Sequence, residues 1–243
     1  MQGTIAGKTV LVTGANRGLG SALVDELLRR GAKRVYAASR SGAIASGERV
    51  VPVMLDVTDE AQIRRAVARV ESLDILVNNA GVSVADDLSD RSALEHHLAV
   101  NLYGTLDVTK AFLPALTRSH GSVVNIISLS ALAAVPVLPA YSVSKAASLS
   151  LTQSFRAQLR GRGVSVYAVL PGPIDTEMVR DLEVPKTSPA AVARATLDGV
   201  EQGEEEIFPD PMSQSFADAW RAGFAKEFER QNAALVTAEP IAA

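Results

Sequence analysis

Short β-branched apolar runs alternate along this chain with longer segments whose apolar residues recur at helical spacing. Lys8–Thr13 reads as a buried parallel strand, with further strands at Val35–Ala38, Val50–Leu55, Asp74–Val77, from Gly121 through Ile127, and at Val164–Leu170. A last short run covers Glu206–Phe208. Between them, Ser21–Arg30 is predicted helical, with Leu23, Leu27 and Leu28 on one side and Gly31 as its stop. Glu60–Glu71 is a second helix, capped by Thr58 or Asp59, with Ile63, Val67 and Val70 at helical spacing. One continuous helix is expected from about Ala93 past Asn101 to Arg118. Another runs from Ala140 to Arg160 and ends at Gly161 and Gly163. Pro189–Gln202 and Ser213 to about Asn232 complete the helices, and Thr237–Ala243 is expected to be a disordered tail. The alternation predicts an α/β fold, an open parallel sheet with helices on both faces. No repeat or Gly/Ser/Pro-rich linker divides the chain, so one domain is expected over residues 1–243.

Composition narrows the function classes. At 243 residues and 47% hydrophobic content the chain can bury a sizeable core. A net charge of -3 gives no basic footprint, so nucleic acid is not an expected partner. The absence of cysteine excludes disulfides and thiolate chemistry and fits a reducing cytoplasm. The N-terminus lacks the pattern of a signal peptide, and no segment approaches the roughly 20 apolar residues of a membrane span. A cytoplasmic, membrane-free protein is expected. His96 and His97 point about 100° apart on a helix and His120 sits beside a turn glycine, so solvated or capping histidines and no metal are expected. Glu204–Glu206 reads as a solvated charge run.

Against that background two stretches carry chemistry. Gly14, Gly18 and Gly20 lie between the first strand and the first helix, where glycines let the backbone approach a pyrophosphate held by the helix N-terminus. Their spacing is GxxxGxG, which departs from the GxGxxG fingerprint. At the end of the second strand Ser39 and Arg40 stand where NAD-binding units place an acid, and Arg17 lies in the glycine loop. Two guanidiniums suit a ribose 2′-phosphate, so NADP(H) is expected over NAD(H). Asp56 can accept from an adenine amino group or cap its own turn, and Asn78–Gly81 can turn over the middle of the cofactor. Downstream, Ser128 leaves an apolar strand, while Tyr141 and Lys145 stand one turn apart on a helix. A hydroxyl, a phenol and an ammonium that converge can move a proton to or from a substrate oxygen.

TGANRGLG at 13–20, NNAG at 78–81, Asn101, Ser128, YSVSK at 141–145 and PGPIDT at 171–176 occur in order. Together they resemble the short-chain dehydrogenase/reductase family over roughly residues 7 to 210, and the glycine loop with Arg17 is most similar to its NADP(H)-dependent carbonyl reductases. The resemblance implies a seven-stranded Rossmann fold and assembly as a homodimer or homotetramer. It implies cofactor contacts from Gly14, Asn16, Arg17, Gly18, Leu19 and Gly20, from Ser39, Arg40, Asp56 and Val57, and from Asn79, Ala80 and Gly81. Further contacts are implied for Tyr141, Lys145, Pro171, Gly172, Ile174 and Thr176. It assigns Tyr141 as acid/base and Ser128 as carbonyl donor, with Ser130 the competing serine. Lys145 also grips the nicotinamide ribose, and Asn101 holds a water that links Lys145 to solvent or stabilises an irregularity in its helix. Tyrosine ordinarily titrates around 10, so the Lys145 cation and the oxidised cofactor are expected to lower the Tyr141 pKa.

The substrate end is apolar. The loop from Leu129 to Ala140 carries Val135 and Leu138 beside Ser130, and the stretch after Pro171 adds Met178 and Val179. This lining favours an apolar or aromatic ketone, or its alcohol, over a sugar or phosphorylated substrate, and only a short lid fits before Pro189. Within enzymes the alternatives are a hydroxysteroid dehydrogenase and a 3-oxoacyl-carrier-protein reductase; outside them, a non-catalytic NADP(H)-sensing protein. Phe216, Trp220, Phe224 and Phe228 form a four-residue stripe on the last expected helix, for core packing or a subunit contact, with a pocket wall as the alternative.

Overall fold

The computed structural model describes residues 4–44, 46–181 and 183–236, so the tail expected to be disordered lies outside the described residues. Seven strands form one parallel sheet in the order β3-β2-β1-β4-β5-β6-β7. They are β1 (Thr9–Thr13), β2 (Arg34–Ser39), β3 (Val50–Met54), β4 (Ile75–Asn78), β5 (Ser122–Ile126), β6 (Ser165–Val169) and β7 (Glu206–Ile207). The order reverses between β1 and β4, and their carboxyl ends open into the crevice where such sheets bind ligands.

Alternate side chains of a strand face opposite sides, and β1 shows the result. Val10 and Val12 pack with Leu19, Leu23 and Leu27 of α1 (Gly18–Arg29) and with Val192 and Leu197 of α6 (Pro189–Gln202). Leu11 faces the other layer, with Ile63 of α2 (Glu60–Arg69), Phe112 and Leu116 of α4 (Thr105–Ser119), and Phe155 of α5 (Pro139–Arg160). Both faces are covered, which is why the strands read as continuous apolar runs. Asp59 caps α2 by accepting from the Gln62 amide.

Four expectations need correction. Val67 is 37% exposed, and the smaller Ala66 turns to the core beside Ile63. The helix expected to start near Ala93 begins earlier and is not continuous: α3 (Arg91–His97) passes through a π-helical segment, Leu98–Gly104, into α4. Asn101 sits in that widened turn. The last helix is two, α7 (Pro211–Arg221) and α8 (Phe224–Ala233), broken at Gly223, which is extended at ψ 155°. A Cβ at Gly223 would lie 2.7 Å from the Ala219 carbonyl oxygen, so the chain turns there through a residue without one. The aromatic stripe is therefore divided, with Trp220 packed against the core and Phe224 stacked on Phe228 at 5.7 Å, largely in solvent.

Finally, Glu204–Glu206 is not a solvated run. Glu206 is buried and pairs with Arg156 at 2.7 Å and Lys226 at 2.9 Å, and Glu205 accepts from Lys226 at 2.8 Å. Glu229 joins the group through Arg156 and Lys226. Lys226 and Glu229 both come from α8, so ion pairs anchor that helix while its phenylalanines face outward.

Candidate active site

The glycine loop is pressed between strand ends. A Cβ at Gly20 would sit 2.1 Å from the Gly14 carbonyl oxygen, so only glycine lets the first turn of α1 close onto the loop. Gly18, at φ +56°, faces the Thr176 methyl across a gap, and no side chain caps the start of α1. The free N–H groups of that turn suit an anion. Asn79 fastens the loop from below, donating to the carbonyls of Thr13 and Gly14, while the Thr13 hydroxyl accepts from the amides of Asn79 and Ala80. Leu19 is core, Asn16 is exposed, and Val57 is buried.

At the end of β2 the Ser39 hydroxyl is buried with no hydrogen-bond partner among the described residues, and exposed Arg40 follows it. An orphaned donor beside a guanidinium with no ion-pair partner among the described residues, next to an uncapped helix start, fits the phosphorylated ribose of a dinucleotide. Asp56 accepts from the amide and hydroxyl of Thr58, the local capping role. Arg17 is drawn elsewhere: its guanidinium pairs with Glu177, which also pairs with Arg180. The structure thus brings Arg17 to the Thr176–Arg180 side of the groove. Among the described residues no cluster of His, Asp or Glu could hold a metal ion.

The catalytic candidates converge past the ends of β4 and β5. Lys145 is buried and its Nζ donates to the Ile126 carbonyl at 3.0 Å, next to the segment that carries Ser128. The same Nζ lies 5.6 Å from the Tyr141 ring centroid and 3.7 Å from where a Cβ of Gly81 would be. Burial pushes the Tyr141 phenol up to about 12, with the neighbouring Ser128 hydroxyl pulling it back, and burial lowers Lys145 to about 8. The expected fall of the tyrosine pKa does not hold for the chain alone. Loss of hydration outweighs the hydrogen bond with Ser128. Ser130 is buried, donates its amide to the Ser128 hydroxyl at 3.1 Å, and leaves its own hydroxyl without a partner among the described residues.

Asn101 is tied up at both ends of its carboxamide. It accepts from the Val82 amide and donates to the Val82 carbonyl and to Ser144 on α5. The π-helical segment thereby stitches the loop after β4 to the helix that carries Tyr141. On the substrate side Val135 and Met178 are exposed, while Leu138 and Val179 are half-buried. Pro171 is buried, Gly172 donates to Asp210, and Ile174 bridges to Thr187, which closes the short stretch after Thr176. His97 corrects the expectation of solvated or capping histidines. It is fully buried, with its ring edge-on to Tyr141 at 6.3 Å.

This architecture is shared with characterised proteins. The family model described as short chain dehydrogenase matches residues 8–186. A short chain dehydrogenase from Burkholderia cenocepacia, solved in complex with NADP, superposes with a TM-score of 0.86 at 38% identity, covering 94% of this chain and 98% of that one. A 2-(S)-hydroxypropyl-CoM dehydrogenase of Xanthobacter autotrophicus is 36% identical, covering 80% of this chain and 82% of that protein. A ketoacyl reductase of Nostoc is 31% identical, covering 87% and 82%.

Proposed function

Because the chain belongs to the short-chain dehydrogenase family, we propose that this oxidoreductase uses NADP(H) to reduce an apolar or aromatic ketone to a secondary alcohol, and to run the reverse. One observation carries the reading: Tyr141, Ser128 and buried Lys145 converge at the end of β5, facing the groove from the glycine loop. Bound NADPH would supply the hydride. Ser128 would hold the ketone oxygen by a hydrogen bond, and Tyr141 would deliver the proton which that oxygen needs. A phenol held near 12 stays protonated at neutral pH, the form that reduction needs. Lys145, fixed on the Ile126 carbonyl, would grip the nicotinamide ribose with its remaining N–H groups, and Asn101 keeps the segment after Gly81 in place. Ser39 and Arg40 would hold the 2′-phosphate. The proposal includes a cytoplasmic homodimer or homotetramer; among the described residues no helix is long and apolar enough to cross a membrane.

An oxoacyl thioester is the second substrate class, favoured by the likeness to a ketoacyl reductase. Against a docked carrier protein stands the pairing of Arg17 and Arg180 at the mouth with Glu177, which offsets their charge. Consumption of NADPH should be compared across aromatic ketones, steroids and oxoacyl thioesters. Tyr141→Phe should lower turnover by roughly 10²–10⁴-fold while NADPH still binds. Retained turnover in that variant would sink the mechanism.

A further inference from the structure

His97 is a buried ring in contact with Tyr141 that the proposed reaction leaves unused. Its Nδ1 lies 2.7 Å from the Ala93 carbonyl and its Nε2 accepts from the Val84 amide at 3.0 Å. A carbonyl only accepts and an amide N–H only donates, so the ring is the neutral tautomer with its proton on Nδ1. Both nitrogens are engaged, which excludes His97 from passing a proton to substrate. What it does is mechanical: one imidazole bridges the loop after β4 to the edge of Tyr141.

That loop is held at alternate residues. Val82 is bonded twice by Asn101, Val84 once by His97, and the Asp86 carboxylate accepts from the Ala140 amide in the first turn of α5 at 3.3 Å. Along it Val84 and Leu88 are each 53% exposed, and Leu88 stands at φ +64°. A loop that holds Leu88 in a backbone region unusual for leucine, fastened by four hydrogen bonds at Val82, Val84 and Asp86 to the helical segments carrying His97, Asn101 and Ala140, is built to be held in place. We propose that His97 is a positioning residue for the reaction, which sets the Val82–Ser89 loop as a third wall of the ketone site, one ring's width from Tyr141. The proposal rests on Tyr141 as the proton donor.

The test uses the full chain with His97→Leu, which removes the acceptor, and His97→Gln, whose amide oxygen can replace it. KM and kcat are measured over ketones of increasing size, with NADPH affinity and hydrogen exchange of a peptide covering residues 82–89. His97→Leu should shift KM for the bulkier ketones roughly five- to ten-fold with kcat and NADPH affinity nearly unchanged, and should speed exchange of that peptide; His97→Gln should restore most of both. Equal behaviour of the two variants overturns the proposal, as does a fall in kcat with KM constant. Should His97→Leu fail to fold, Val84→Pro, which deletes the donor and keeps the ring, must reproduce the KM shift. If the wild-type chain reduces none of these ketones the proposed function fails, and the exchange comparison still decides whether His97 holds the loop.

Discussion

Lys145 shows how much of this site depends on burial of single residues. Its pKa falls from lysine's usual 10.5 to about 8 because the ammonium has little water around it. Between pH 8 and 10.5 the unfolded chain therefore binds more protons than the folded one, so this group makes stability rise with pH over that window, by at most about 1.4 kcal/mol per pH unit. Tyr141 acts in the opposite sense above pH 10, where stability is lost as pH rises through about 12. Lys145→Met should flatten the rise between pH 8 and 10 in urea titrations; parallel wild-type and variant curves would refute the assignment. Arg40 is a second residue-scale case. It is exposed while Arg17 is engaged by Glu177, so Arg40 with Ser39 should carry the choice of dinucleotide. Arg40→Ala should reduce the NADPH-over-NADH affinity ratio roughly tenfold or more, read by fluorescence titration.

Among the elements, α8 was the least legible in sequence. Its phenylalanines at 224 and 228 look like the buried face, yet they are outside and the charges are inside. No periodicity rule foresees that, because the deciding partners, Arg156 and Glu206, come from distant parts of the chain. Burial lowers the Lys226 pKa and the Glu205 and Glu206 carboxylates raise it further, leaving it above its usual value. Glu206→Ala should cost about 3–5 kcal/mol in urea unfolding, since it strips a carboxylate from two buried cations. Glu227→Gln, whose Arg230 partner is in solvent, should change stability by less than about 1 kcal/mol. If the two variants lose equal stability, the cluster does not anchor the helix. The π-helical turn at Leu98–Gly104 was similarly hidden: the sequence carried Asn101, but the extra residue in the turn follows from its bonds to Val82 and Ser144.

On the scale of the whole molecule, an open parallel α/β sheet with helices on both faces was legible in the alternation of strand and helix patterns, its seven strands were implied by the family motifs, and the β1/β4 reversal came only with the structure. Local chemistry explains the legible part. Strands buried on both faces must be apolar throughout, and glycines must stand where α1 closes on the loop, so each leaves a mark within a few residues. The motif residues Ser128, Tyr141 and Lys145 were visible for the same reason, being close in sequence on one strand end and one helix. The chain by itself therefore determined the fold class and the closeness of Ser128, Tyr141 and Lys145. The tertiary structure alone decided that Arg17 turns to Glu177, that His97 stands behind Tyr141, that the phenol is pushed up in pKa, and that Glu206 is buried. Each of these depends on desolvation or on a partner far along the chain, and neither is written in local spacing.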